Sequence, residues 1–251
     1  MSIKEIPGRL LASIQFCLTR QITWRFQPPV FVVLIGGPGA GKGTLAQELA
    51  PATGLTHVST GHLLRQEVER GTALGLEIAP ILKNGDFVSD ELVFRLLKAE
   101  IKARQNRRGV ILDGFPRTEK QARMLQHFLA GIGQRVSFAF AIEVAEPDLI
   151  ERLSGRRTCT NATCGRSYHI HFSPPAVEGI CDVCGSALYQ RPDDNAESIS
   201  RRLKKYNKEA APLISFFAER GSLIKLASTN ADGKEAVLAK ALKSMHSESR
   251  G

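Results

Sequence analysis

The sequence predicts an α/β fold: a doubly wound parallel sheet with a small cysteine-rich β segment inserted late in the chain. Three observations predict it. Phe31 to Ile35 is a continuous apolar run, the pattern of a strand buried on both faces, and it leads through a glycine-rich turn into a helical pattern. Further apolar runs at Val110–Leu112, Val136–Val144 and Ser222–Ala227 alternate with helical segments, as parallel sheets require. Four cysteines between Cys159 and Cys184 then interrupt that alternation.

Composition limits what such a chain can be. With 251 residues, 43% hydrophobic and 24% charged, it can bury a sizeable core as one large domain or as one core with insertions. Its longest apolar run falls far short of the roughly 20 residues of a membrane span, so no membrane partner is expected. The formal charge of +9 fits nucleic acid, a membrane surface or small polyphosphates. Lys4, Arg9, Arg20 and Arg25 against Glu5 put +3 of it in residues 1–29. No block of five or six like charges occurs elsewhere, and the later arginines fall inside motifs. Nucleotide phosphates are therefore the favoured reason, and no nucleic-acid partner is expected.

The turn after the first strand carries the chemistry. Gly36, Gly39 and Gly41 allow the backbone to aim its N–H groups into an anion-binding concavity, and the following helix adds the positive end of its dipole. Lys42 supplies a flexible charge for β- and γ-phosphates. An ordinary tight turn is the plain alternative. Gly43 stands where a Ser or Thr usually ligates magnesium, with Thr44 next.

GGPGAGKGT, Gly36 to Thr44, resembles the nucleoside monophosphate kinases, and the adenylate kinase family in particular. Matches extend over about residues 30–245. The resemblance implies a P-loop NTPase core at 30–245 with two insertions, a helical AMP-binding lobe at 59–88 and a small β zinc-ribbon lid at 155–194, and a tail at 246–251. It implies that Gly37, Pro38, Gly39, Ala40, Gly41, Lys42, Gly43 and Thr44 bind ATP.

Residues 1–29 precede the core. They could form an amphipathic targeting segment, a poorly ordered tail, or the product of an upstream start; Pro28–Pro29 marks the boundary. The location expected is cytoplasmic, or organellar if this segment is a transit peptide. Thr56–Ser59 reads as a second strand, and Ser59 or Thr60 as the cap of a helix through Leu63, Leu64 and Val68. By resemblance Thr60 and Arg65 hold the monophosphate. His62 occupies a place where that family usually has an acid.

Residues 71–86 read as short helices broken by Gly75, Pro80 and Gly85, with a longer helix starting at Ser89. By resemblance Phe87 and Val88 border the adenine; on pattern alone they are packing residues. Val110–Leu112 is a strand ending in Asp113, at the carboxyl edge where doubly wound sheets place ligands. After a phosphate-binding loop, Asp113 is a candidate to hold hydrated magnesium; alone it would be a cap. DGFPRT with Gln121 resembles the adenylate kinase signature. That match implies AMP contacts from Gly114, Phe115 and Arg117, and an adenine hydrogen bond from Gln121.

Pro147 opens a helix read as DLIERLSGRR, so Arg152, Arg156 and Arg157 form a helix-borne basic cluster whose plain reading is a solvated face. The resemblance assigns Arg156 to the triphosphate and Arg152 to the transferring phosphoryl. Cys159-x4-Cys164 and Cys181-x2-Cys184 have the spacing of a structural zinc ribbon, four thiolates closing a tetrahedron with no open position. Lids of the resembled family normally keep two residues inside the first pair, where this chain has four. His169 and His171 are rival ligands that read as structural, and Cys17 as a bystander.

The resemblance places Ser167 and Tyr168 over the nucleotide base, and the backbone near Glu235 against adenine. It selects Arg191 and Arg202 to reach both phosphates, with Asp193 and Asp194 on lid arginines. The helix starting at Asn195 or Ser198 and a closing helix at Lys234–Met245 complete the core.

The expected catalytic set is Lys42, Asp113, Arg117, Arg152, Arg156, Arg191 and Arg202, acting by charge and position rather than acid–base chemistry. The implied reaction is reversible: MgATP and AMP give two ADP, with a structural zinc and a monomer sufficient. Other monophosphate acceptors, or GTP as donor, are the near alternatives. A zinc-ribbon nucleic-acid binder is the distant one, disfavoured because residues 165–189 carry Arg166 against Glu178 and Asp182.

Overall fold

A computed structural model of the chain describes residues 29–84, 86, 88–104, 108–161, 164–229 and 234–248. The readings for residues 1–28, including Cys17, and for Phe87 lie outside the described residues. Five strands, β1 (Val30–Ile35), β2 (Thr56–Ser59), β3 (Gly109–Asp113), β4 (Val136–Glu143) and β8 (Leu223–Ala227), form a parallel sheet in the order β2-β3-β1-β4-β8. The order reverses at β1, so the crevice beyond its carboxyl end is the switch point where such sheets take ligands.

Alternation along the central strands divides the core. Phe31, Val33 and Ile35 of β1 pack on one face, and Val32 and Leu34 on the other. The first face is covered by α2 (Thr60–Glu69), α3 (Ala73–Lys83), α4 (Asp90–Arg104), α5 (Glu119–Ala130) and the end of α7 (Ala196–Ala218). The second is covered by α1 (Lys42–Thr53), α6 (Glu146–Ser154), the start of α7 and α8 (Lys234–Glu248). Phe140, fully buried on that second face, contributes about 2–3 kcal/mol by leaving water. No described helix is long and apolar enough to cross a membrane.

Two local readings are corrected. Residues 73–83 form one helix, α3, not short pieces. Thr72 caps it through Gly75 N–H, and Gly75 marks close packing rather than a break: a Cβ there would stand 2.0 Å from Glu67 O on α2. The buried Ile78, with Leu74, Ile81 and Leu82 against the core, holds the helix together through Pro80, because packing outweighs propensity.

Arg156 and Arg157 are also not on a helix. Gly155 ends α6, and Arg156–Cys159 becomes β5, pairing antiparallel with β6 (Ser167–His169) and β7 (Leu188–Tyr189). Cys159 ends β5, and the other three clustered cysteines lie in the loops between the strands of this sheet.

Candidate active site

β1 ends in the glycine-rich loop, where Gly39 and Gly41 take left-handed φ of 83° and 93°. A Cβ on Gly39 would also meet Leu149 O at 2.9 Å, so this turn admits no side chain. Lys42 opens α1 and donates from Nζ to Gly36 O (2.7 Å) and Gly37 O (2.8 Å), which keeps the ammonium in the loop mouth. Asp113 ends β3 beside it. A Cβ built on Gly43 would stand 3.4 Å from Asp113 Oδ2. That is ordinary van der Waals contact, so a larger side chain at this position would reach the carboxylate.

These groups face a cavity of about 910 Å³, lined by Lys42, Asp113 and Arg65, Arg117, Arg152, Arg156, Arg191 and Arg202. Arg65 comes from α2, Arg117 from the loop after β3, Arg156 from β5, Arg191 from the stretch after β7 and Arg202 from α7. Carboxylates hold part of this charge in place. Arg156 forks onto Asp194 (Nε–Oδ2 2.8 Å, Nη2–Oδ1 2.5 Å), whose side chain is wholly buried. Arg202 meets Asp193 Oδ2 at 2.9 Å and Asp194 Oδ1 at 3.4 Å. Arg191 donates to Thr158 Oγ1 at 3.0 Å, and Arg117 Nε to Gly114 O at 2.9 Å.

The cations still crowd one another. Burial, then the charge of Arg202, pushes Arg117 down to about 10; burial, then Arg65 and Arg156, pushes Arg191 down to about 9. Both stay charged at neutral pH. Lys42 is pushed down to about 8, by burial first, with Asp113 opposing and Arg117, Arg202 and Arg156 adding to the fall. Burial pushes Asp113 up, but His57, Lys42 and Arg117 outweigh it and hold the carboxyl at about 2. The site is a set of buried positive charges organised for an anion.

One expected residue stands elsewhere. Phe115 does not face the cavity: its ring is fully buried in the core, stacked on Phe94 with centroids 5.7 Å apart. The strand–turn geometry sends Gly114 and Arg117 outward and this side chain inward. Arg152 lines the same cavity, its Nη2 3.3 Å from Ser228 Oγ just past the end of β8, and Thr229 and Glu235 line it too.

The remaining assigned residues line the cavity or its floor. Thr60 Oγ1 is 3.4 Å from Asp113 O, and Val88 is buried in the wall. Gln121 accepts from Arg117 N and donates to Asp90 Oδ1, both at 2.7 Å, which leaves one N–H and one lone pair of its amide. Ser167 and Tyr168 line the lid side, but the Tyr168 hydroxyl turns away, 3.5 Å from Cys181 Sγ and accepting from Asp182 N at 2.8 Å. His62 lies on α2 facing Gly165 of the lid sheet's loop.

Five residues gave no sequence signal. Phe172 lines the cavity from a turn after β6. His57 Nε2 is buried 3.5 Å from Asp113 Oδ2, just outside good hydrogen-bond geometry. Arg166 of the lid pairs with Glu48 of α1 at 2.7 Å, beside Gln47 Nε2 donating to Gly165 O at 3.3 Å. A run of β-branched and apolar residues around His57, or an Arg next to a Cys, carries no hint of partners so distant in sequence.

The Sγ atoms of Cys159, Cys164, Cys181 and Cys184 all lie within 4.8 Å of one another. Two pairs are at 3.4 and 3.7 Å, against the roughly 3.8 Å edge of a tetrahedron with Zn–S near 2.3 Å. The donor set therefore fits a zinc ion, and the four residues between Cys159 and Cys164 do not prevent it. Without a metal the four thiols share their protons unevenly: burial pushes Cys159 and Cys164 up, and Cys181 as well, but hydrogen bonds, from Tyr168 to Cys181 and from Ser186 to Cys184, hold the latter two down. His169 and His171 are not in the cluster.

Comparison with known proteins agrees with this arrangement. Residues 34–222 match the family model described as adenylate kinase. The chain is 42% identical over 206 residues to the adenylate kinase of Carboxydothermus hydrogenoformans, covering 82% of this chain and 93% of that one. It is 43% identical over 200 residues to the adenylate kinase of Methanococcoides burtonii, covering 80% and 92%, and 43% over 192 residues to that of Bacillus pumilus, covering 76% and 88%. With its phosphate-binding loop, its converging arginines and this similarity over most of its length, the chain belongs to the adenylate kinase family of phosphotransferases.

Proposed function

We propose that the chain transfers the γ-phosphoryl of MgATP to AMP, reversibly, giving two ADP. The observation that carries this reading is the cavity itself: Lys42 and five arginines converge from separate elements on one space at the sheet's switch point. Two phosphate chains meeting end to end are what such a charge set suits, since the loose transition state of phosphoryl transfer spreads negative charge over equatorial oxygens.

In this reading Gly37 to Thr44 wrap the triphosphate, and Lys42 leaves its loop carbonyls for the β- and γ-phosphates. Arg117, Arg156, Arg191 and Arg202 hold the transferring group in line by bidentate forks, and the carboxylates of Asp193 and Asp194 keep two of those forks aimed. Arg65 and Thr60 take the monophosphate, near Gly114, where a left-handed φ of 83° and a Cβ clash of 2.9 Å with Thr60 Oγ1 exclude any larger residue. Gln121 offers its remaining N–H and lone pair to adenine, beside Val88. Magnesium carried with ATP neutralises phosphate oxygens, and Asp113 would hold its hydration shell. Zinc on the four cysteines would stiffen the lid.

Arg152 serves the donor base rather than the phosphoryl group. Its planar guanidinium at the Ser228–Glu235 rim, with the Phe172 ring on the same cavity, offers flat surfaces to a purine. Closing these lobes over the substrates excludes water from the activated phosphoryl. Every group in this scheme comes from one chain, so a monomer suffices, and the cytoplasm is the location that fits substrates of this kind.

Parallel assays of ADP formation from MgATP with AMP, UMP, CMP or GMP test the acceptor. AMP preference of at least about a hundredfold, roughly 2.7 kcal/mol, is expected and should fall on Gln121→Ala. A preference for another monophosphate would move the specificity away from this reading.

A further inference from the structure

β6 turns back on itself after His169, and that imidazole sits at the centre of the turn. His169 N donates to Ser173 O at 3.0 Å and Ser173 N to His169 O at 3.3 Å, closing a loop of three residues, 170–172. Inside the loop, the N–H groups of His171 and Phe172 both donate to His169 Nδ1, at 3.0 and 3.1 Å. An atom accepting two N–H groups carries no proton, so the ring proton is on Nε2. That nitrogen lies 3.2 Å from Glu151 O in the last turn of α6, and it donates there.

The site is built for this ring. His169 is only 7% exposed, and a Cβ on Gly155 would stand 2.2 Å from Nε2, so the glycine that ends α6 makes room for it. Ile170 N donates to Gly155 O at 3.0 Å, tying the same turn to the same helix end. The Phe172 ring stacks on the imidazole with centroids 4.3 Å apart and planes 24° from parallel. Phe172 is 43% exposed and lines the cavity, and Glu151 immediately precedes Arg152 in α6.

We propose that His169 is a positioning residue for the donor base: its neutral imidazole ties the turn bearing Phe172 to the helix end bearing Arg152. The inference rests on reading the Arg152–Phe172 end of the cavity as the base site. One ring thereby sets the spacing of the two flat groups between which a purine would lie. Burial lowers the pKa of His169, with the Glu151 carbonyl and carboxylate opposing and the charges of His171 and Arg152 adding to the fall, and the neutral form results. The ring is not a ligand of the cysteine cluster, so its role is separate from holding metal.

The test uses the zinc-loaded full chain and its His169→Ala, His169→Asn and Phe172→Ala variants. KM for ATP and for AMP and the zinc content are measured for each. Both alanine variants are expected to raise the ATP KM about tenfold while the AMP KM moves less than about twofold, with zinc retained. Their effects should not add in the double variant, because one acts through the other. Asn places an acceptor oxygen near the Nδ1 position but no donor near Glu151 O, so it should keep the turn and recover little of the loss; full recovery would mean the tie to α6 does not set the base site. Three further results would overturn the proposal: an unchanged ATP KM in His169→Ala, additive effects, or a parallel rise of both KM values with zinc loss, which marks lid folding alone. An unchanged ATP KM in Phe172→Ala would instead sink the base-site reading, and the proposal with it.

Discussion

Lys42 sits in a field of like charge, and that field decides how its proton behaves. In the free protein burial and the neighbouring arginines push its pKa down to about 8, while an unfolded lysine stays protonated to about 10.5. The unfolded chain thus binds the extra proton between those values, and the stability of the nucleotide-free protein should rise with pH across that window. Phosphate in the loop reverses the balance and restores the charge. Nucleotide binding should therefore take up a proton near pH 8.5, and affinity should fall as pH rises beyond about 8. Calorimetry in two buffers of different ionisation heat reads this directly; equal heats would mean Lys42 is already fully charged when free. Gly43 makes a second prediction at this scale. A serine there would press on Asp113, 3.4 Å from the first side-chain atom. Gly43→Ser should lower kcat about tenfold or more, about 1.4 kcal/mol of barrier, without changing thermal stability; an unchanged kcat would mean the carboxylate has room to move.

The elements differ in how tightly they are fixed. α2 and α3 approach so closely at Gly75 that a methyl would meet the Glu67 carbonyl at 2.0 Å. Gly75→Ala should destabilise the protein by about 1–3 kcal/mol and raise the KM for AMP more than for ATP, since Thr60 and Arg65 lie on α2. Denaturant unfolding with paired KM measurements checks both halves. The lid is attached differently, through β5 at the end of α6 and the Arg166–Glu48 pair onto α1, a partly exposed contact worth no more than about 1 kcal/mol. This contrast shows what sequence conveys at this scale. The α/β order, the loop helix and the helix start at Asn195 are local patterns and can be read from neighbours in the chain. The single helix α3 cannot, because Pro80 and Gly75 argue against it until the packing partner is known. Arg156 likewise reads as helical until its strand partners at Ser167–His169 come into view.

For the whole molecule the cysteine cluster and the cavity are the two places where distant segments meet. Zinc removal should be selective. Among the described residues the lid sheet's core is Cys159, Tyr168 and Cys181 with Cys164 and Leu188 against them, too little apolar area to hold itself. Chelation should expose four thiols to a colorimetric reagent and raise the ATP KM, while the melting of the parallel-sheet core shifts far less. Loss of the whole fold on chelation would contradict the separation of the two sheets. Much of the site was legible: the loop, Asp113, the DGFPRT arginine and the four cysteines announce themselves by spacing. What was not legible depends on contacts across long separations. Arg152 meets Ser228, Asp113 comes beside Gly43, and Phe115 turns into the core to stack on Phe94. No local pattern encodes which way those side chains face.

The most direct test follows phosphorus by 31P NMR in MgATP with and without AMP, for the wild-type chain and Lys42→Met. A device that positions two phosphate chains and shields them from water should make two ADP for each AMP consumed. Without AMP it should release almost no inorganic phosphate, and Lys42→Met should lose at least about a thousandfold in rate, roughly 4 kcal/mol. Phosphate release at the same rate whether or not AMP is present would mean that the converging arginines do not bring two nucleotides together.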